Sequence, residues 1–204
     1  MKADPVELLL RDHFELKKFY FISGNEKTLM DKIKDLVIKS HSLNQKLIIE
    51  KTKGLKSLVE ESSLFGDKKV YILVDITDIS NEVLDSKSED ESVYVFLVEN
   101  SPKVKSIKTI FLNRKDSYLI DCYDLSQGSK VKILNNFLEK KSMSLEKDVY
   151  WYLIERFDKK YGFLEKEMEK IGMLDRADIS LDTINKIISN SVTGIQNMFF
   201  ELNK

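Results

Sequence analysis

The first half of the chain alternates short, almost wholly apolar runs with longer stretches in which apolar residues recur every three or four positions. Phe19-Tyr20-Phe21-Ile22-Ser23-Gly24 is such a run and predicts a buried strand ending at a glycine. Leu29, Ile33, Leu36 and Val37 then follow at helical spacing. Lys46-Leu47-Ile48-Ile49-Glu50 predicts a second strand, and Leu55 to Glu61 a short helix. Val70 to Val74, Val93 to Val98 and Tyr118 to Cys122 predict three more strands. The polar stretch from Ser86 to Ser92 reads as an exposed loop. Continuous apolar strands separated by helices predict an α/β fold, with a parallel sheet covered on both faces.

After about Asp124 the strand pattern stops and only helical spacing remains. Ile133, Leu134, Phe137 and Leu138 make one apolar face, and Val149, Leu153, Ile154 and Phe157 a second. Phe163, Leu164, Met168 and Ile171 make a third. A fourth runs through Ile184, Ile187 and Ile188, with Ser180 placed as its N-cap. The chain closes on Met198-Phe199-Phe200-Glu201-Leu202. The expected organisation is an α/β domain over 1–124 and a small all-helical domain over 125–204.

Composition narrows the function classes. Of 204 residues, 42% are hydrophobic, enough for a real core, which excludes global disorder. The 33 basic and 34 acidic side chains nearly cancel, and a net charge of -1 gives no overall electrostatic case for nucleic acid or acidic membranes. The single cysteine, Cys122, excludes an internal disulfide framework and suits a reducing cytoplasm. With it, His13 and His41 cannot build a familiar zinc site, and each reads as a surface residue flanking a helix. No apolar run approaches a membrane span, and the N-terminal residues lack a secretory signal pattern. The expectation is a soluble cytoplasmic protein with no membrane association.

Three sites invite a chemical reading. A strand, a glycine and a helix at 19–37 suggest a phosphate-binding loop, in which closely approaching backbone N–H groups wrap the phosphates. Lys27-Thr28 matches that motif's last two positions, but its glycines would fall on Phe21 and Glu26. The first is a strand residue, and the second would set a carboxylate against the phosphates. The nucleotide reading fails on sterics and charge, and no cofactor is expected. Asp75 ends the third strand where nucleotide hydrolases keep a magnesium-binding acid, but Ile76 follows where a general base would stand. Asp75 reads as a strand-end polar residue or a helix cap. No nucleophile elbow is present, and no catalytic constellation emerges. A diverged nucleotide hydrolase or kinase using Lys27, Thr28 and Asp75 is the enzyme alternative.

Two further features concern partners. Leu64 and Phe65 stand together in a serine and glycine turn, Ser62-Ser63-Leu64-Phe65-Gly66-Asp67, just before the third strand. Turns generally carry polar residues over the surface, so the pair either folds back into its own core or projects as an anchor. Composition alone favours the core. The stretch from Lys103 to Lys115 carries Lys103, Lys105, Lys108, Arg114 and Lys115 on an expected helix whose Val104, Ile107, Ile110 and Phe111 face inward. It reads first as a solvated amphipathic helix and second as a DNA-facing patch.

Four stretches together resemble a family, the delta subunits of the bacterial DNA polymerase III clamp loader, which are nucleotide-incompetent AAA+ modules. The stretch from Phe19 to Glu26, with Leu29, is similar to that family's opening strand, where a Gly-x-Glu motif replaces the phosphate loop. Ser63-Leu64-Phe65-Gly66 followed by Lys69 to Val74 resembles its Leu-Phe segment before a hydrophobic strand. Tyr161 to Ile171 resembles a helix of its second domain, and Ile179-Ser180 with Ile184 and Phe199-Phe200-Glu201-Leu202 resembles that domain's closing segment.

The resemblance implies an AAA+-like sheet domain, a lid-like helical domain, and a subunit that binds the sliding clamp (the beta subunit) and helps open the ring without hydrolysing ATP. It would work within the polymerase holoenzyme beside other clamp-loader subunits, with primer-template DNA reached through the complex. Leu64 and Phe65 would be the clamp anchors, with Ser63 and Gly66 shaping the turn. A non-clamp AAA+ scaffold, such as a delta-prime subunit, is a further alternative, against which the absence of a Ser-Arg-Cys arginine-finger motif argues. The sequence stops where the family's third domain, a helical collar, would begin, so the chain is either a fragment or a naturally short member.

Overall fold

The computed structural model describes residues 1–43, 48–53, 69–74, 76, 78–99, 104–175 and 179–188. They fall into two compact units, Met1–Tyr123 and Asp124–Lys204. The first contains β1 (Lys2–Ala3), α1 (Pro5–Leu10), β2 (Phe19–Gly24), α2 (Lys27–Ser42), β3 (Ile48–Lys53), β4 (Lys69–Val74), α3 (Asn81–Ser86), β5 (Val93–Glu99), α4 (Val104–Asn113) and β6 (Ser117–Cys122). The six strands form one sheet in the order β1-β6-β2-β5-β4-β3, and every pair is parallel. β2 therefore lies between β6 and β5, where the strand order reverses. In doubly wound sheets that reversal opens a crevice at the carboxyl ends of the strands.

The apolar pattern explains both faces. Side chains alternate along a strand, so Phe19 and Phe21 of β2 join Tyr71, Leu73, Tyr94, Phe96 and Leu119 on one face. Val104, Ile107 and Phe111 of α4 and Leu84 of α3 cover them. Phe111 is the keystone, with its ring 4.8 Å from that of Phe21 and 5.1 Å from that of Phe96. The intervening Tyr20 and Ile22 serve the other face, packed by α2 through buried Leu29, Ile33 and Val37, while α1, with buried Val6 and Leu8, lies against β6 and α2. Asp4 caps α1 by accepting from the Glu7 N–H at 3.0 Å, with Pro5 at the first helical position.

Some sequence expectations are corrected. The second strand runs on to Lys53. His41 is buried, not on the surface, because its Nε2 lies 3.0 Å from the Tyr20 hydroxyl, and that pairing is what admits a polar ring beneath α2. β1, α1 and α3 were not anticipated. The helix expected at 55–61 and the closing segment at 198–202 lie outside the described residues.

The second unit contains α5 (Gln127–Lys141), α6 (Lys147–Arg156), α7 (Tyr161–Ile171) and a further helix over 181–188. Ser126 caps α5 through the Ser129 N–H at 3.1 Å, and Ser142 closes it in the left-handed region with φ 49°. Ser180 caps the last helix through the Thr183 N–H at 3.3 Å. Val149, Leu153, Ile154, Phe157, Leu164, Met168 and Ile171 are buried as their spacing predicts. Phe163 is not: Tyr161 takes the inward position in the first turn of α7, leaving Phe163 55% exposed. Lys130 is buried, donates its ammonium to the Phe157 carbonyl, and is pushed to a lower pKa by that burial. Among the described residues, no helix is long and apolar enough to cross a membrane.

Candidate functional site

The crevice at the carboxyl ends of β2, β5 and β6 is where this topology places a ligand, and the residues lining it follow directly from the β2–α2 turn. β2 ends at Gly24, whose φ of 150° lies where L side chains are strained. A Cβ there would stand 1.8 Å from the Cys122 carbonyl oxygen, so only glycine allows the two strand ends to meet. Asn25 and Glu26 alone separate the strand from α2. Their backbone N–H groups both donate to the Cys122 carbonyl, at 3.1 and 3.2 Å, which stitches the turn to the end of β6.

Glu26 then fills the head of the helix. Only 2% exposed, it is the N-cap of α2 and accepts hydrogen bonds from the Leu29 N–H and, at 2.8 and 2.9 Å, from the Thr28 hydroxyl. A helix N-terminus carries free N–H donors and a partial positive charge, and here a carboxylate of the chain itself takes one of those donors, the Leu29 N–H. Lys27 points outward and pairs with Glu99 of β5 at 2.7 Å, and that hydrogen bond raises its pKa. A phosphate loop needs a long glycine-rich turn with free N–H groups. This turn has two residues, two committed N–H groups and a resident carboxylate, so a nucleotide does not fit.

A polar cluster adjoins the crevice on the face covered by α4. Asp121 of β6 receives the Lys108 ammonium at 2.8 Å, that of Lys2 at 3.0 Å and the Ser23 hydroxyl at 3.3 Å. Burial alone would raise the Asp121 pKa, but the hydrogen bonds from the two ammonium groups bring it below the usual value. Lys108 is raised in turn, its hydrogen bonds to Asp121 and the Tyr123 hydroxyl outweighing its own desolvation. Cys122 is buried, and desolvation drives its thiol far above the usual range, which leaves it an inert core group.

The partner residues read from the sequence are distributed unevenly. Ser62, Ser63, Leu64, Phe65 and Gly66 lie outside the described residues, as do Asp75 and Lys103. β3 and β4 are parallel, so the chain leaves the sheet at the carboxyl end of β3 and re-enters at the amino end of β4. Of the cations on and after α4, Lys105 and Lys115 are exposed. Lys108 is held by Asp121. Arg114 reaches Asp85 at 2.6 Å and Asp116 at 2.8 Å, donates to the Ser88 hydroxyl at 3.1 Å and lies over the Phe19 ring. The stitch on the Cys122 carbonyl was not foreseen. A backbone acceptor leaves no mark in sequence, and Gly24 was the only signal of a close approach.

No protein-family model and no curated protein sequence matches the chain. Among solved structures, it is similar to the Bacillus subtilis DNA clamp loader delta protein, with 15% identity, a TM-score of 0.53, and coverage of 92% of this chain and 68% of that one. It is also similar to the Thermotoga maritima RuvB Holliday junction branch migration motor, at 13% identity and TM-score 0.45 over 83% of this chain and 61% of that one. Domain III of the Thermotoga maritima replication initiation protein DnaA follows at 14% identity and TM-score 0.43, over 85% and 84%. The fold is AAA+-like: a parallel sheet domain covered by helices, followed by a small all-α part.

Proposed function

We propose that this chain is a delta-like clamp-loader subunit, which binds the ring-shaped sliding clamp and helps open one interface of the ring without hydrolysing ATP itself. The observation that carries this reading is the β2–α2 turn. Its N–H groups are spent on Cys122 and its helix head is filled by Glu26, so an AAA+-like fold is left with no room for the nucleotide it would otherwise turn over. Such a module acts through partners. The likeness in fold to a clamp loader delta protein over 92% of this chain supports the choice of partner.

In this reading Leu64 and Phe65 enter an apolar pocket of the clamp, and Ser63 and Gly66 keep the turn free of bulky neighbours. Each buried side chain is worth roughly 1.5–3 kcal/mol, and a few such anchors commonly dominate an interface. The partners are the clamp, the other loader subunits and, through the complex, primer-template DNA. The test is a pulldown with the cognate clamp. The wild-type chain is expected to capture it, and Leu64→Ala with Phe65→Ala to weaken binding by at least about tenfold while the fold survives. Unchanged binding by the double variant, or its unfolding, removes the anchor assignment. A wild-type chain that captures no clamp removes the function.

A further inference from the structure

The AAA+-like fold implies a nucleotide at the crevice, and the residues there do not accept one. We propose that the Glu26 carboxylate is the crevice's own permanent ligand. It does for the head of α2 what a bound phosphate does in nucleotide-using members of the fold, so the crevice has one state and cannot act as a nucleotide switch. This inference rests on the same β2–α2–β6 corner that carries the proposed function, and it is independent only of the choice of partner.

Three observations converge on it. The carboxylate is nearly inaccessible at 2% exposure, yet it sits at the N-terminus of a 16-residue helix, a position that attracts anions. It accepts from the backbone N–H of Leu29 and from the hydroxyl of Thr28, the donor types that a phosphate at a helix head engages. The turn leading to it is closed by the bonds from Asn25 and Glu26 to the Cys122 carbonyl, and Gly24 presses the β2 end against the same oxygen. An external phosphate would have to displace the carboxylate and also break that stitch. An internal carboxylate pays no entropy of association, and its effective concentration is set by a short tether within its own helix turn. It holds the site against a dilute competitor.

The experiment compares wild type, Glu26→Ala, Glu26→Gln and Thr28→Val as full chains, with thermal unfolding as the readout. Each is scanned in chloride, formate, inorganic phosphate and magnesium ATP at matched ionic strength. Wild type is expected to show no shift with any anion. Glu26→Ala is expected to melt about 2–4 °C lower, the usual consequence of losing a helix cap in a chain of this size. Formate should recover part of that loss, because it restores a carboxylate to the vacated donors, and magnesium ATP should not, because the stitch remains. Glu26→Gln keeps an acceptor without the charge and is expected to fall between, with no formate response. Thr28→Val should lower the melting temperature less than Glu26→Ala does. A rise in wild-type melting temperature with magnesium ATP overturns the proposal. So does a Glu26→Ala variant as stable as wild type, or one that is destabilised and indifferent to formate. Should Glu26→Ala not fold, a Glu26→Gln variant that melts with wild type also overturns it. A failed clamp pulldown removes the choice of partner and leaves these outcomes untouched, whereas a rise with magnesium ATP also removes the observation that carries the proposed function.

Discussion

At the scale of single residues, Asp121 shows how this molecule uses charge. It sits at the end of a strand beneath a helix, partly desolvated, and two ammonium groups hold it ionised. Its folded pKa is depressed, so the stability it contributes is complete above the ordinary aspartate pKa of about 3.9 and is lost as pH falls through its lower folded value. Lys108 has the opposite sign: its folded pKa is raised, and its contribution is complete below about 10.4 and lost as pH climbs through the higher folded value. Asp121→Asn should therefore be less stable than wild type by about 1–2 kcal/mol at neutral pH. The gap should shrink below about pH 4 and again well above about pH 10. Thermal unfolding of both proteins across pH checks this. A gap that persists at the acid end would mean that the Asn side chain perturbs packing and that the ion pairs are not its source.

Secondary elements show what could and could not be read in advance. The strands β2, β4, β5 and β6 were legible because strands buried on both faces are continuous apolar runs. β1 is two residues long and α3 buries a single leucine, so neither imposes a period on the sequence. Phe163 and His41 depart from the sequence expectation for a related reason: which side chain wins an inward position depends on its neighbours, Tyr161 in the same helix in one case and Tyr20 of β2 in the other. The crevice was half legible. Gly24 and Glu26 stand out as a glycine after a strand and an acid where phosphates would lie, whereas the Cys122 carbonyl that closes the turn carries no side-chain signature. Glycine substitutions test the β2–β6 corner directly. Gly24→Ala would force a side chain into a backbone carbonyl at 1.8 Å with φ at 150°, and is expected to cost at least about 3 kcal/mol. Gly128→Ala, in the first turn of α5 with its nearest contact at 3.8 Å, should gain up to about 1 kcal/mol. Denaturant unfolding separates the two. Equal effects would mean that the corner yields more readily than its geometry implies.

For the whole molecule, charge decides how it can meet nucleic acid. With 33 basic and 34 acidic side chains there is no long-range field to steer a polyanion, so any DNA contact must come from a local patch. The patch around α4 has five formal cations in its sequence, Lys103, Lys105, Lys108, Arg114 and Lys115. Two of them are engaged inside the fold, Lys108 by Asp121 and Arg114 by Asp85 and Asp116. Counterion release turns this into a measurable difference. The slope of log binding constant against log salt is about -0.9 per neutralised phosphate on duplex DNA, so five contacts would give roughly -4.5, and three, the most that leaves Lys108 and Arg114 with their carboxylates, roughly -2.7. Titrating a labelled primer-template with the chain alone, over about 50 to 200 mM salt, is expected to give weak binding with a slope no steeper than roughly -2.7. Lys105→Glu with Lys115→Glu should abolish it without moving the melting temperature, since both side chains are exposed. A slope near -4.5 would require Lys108 and Arg114 to leave their carboxylates on binding. The fold would then have to loosen where Arg114 ties α3 to the start of β6, and Arg114→Lys, which cannot keep the forked bonds to Asp85 and Asp116, would bind DNA more tightly than wild type while melting lower.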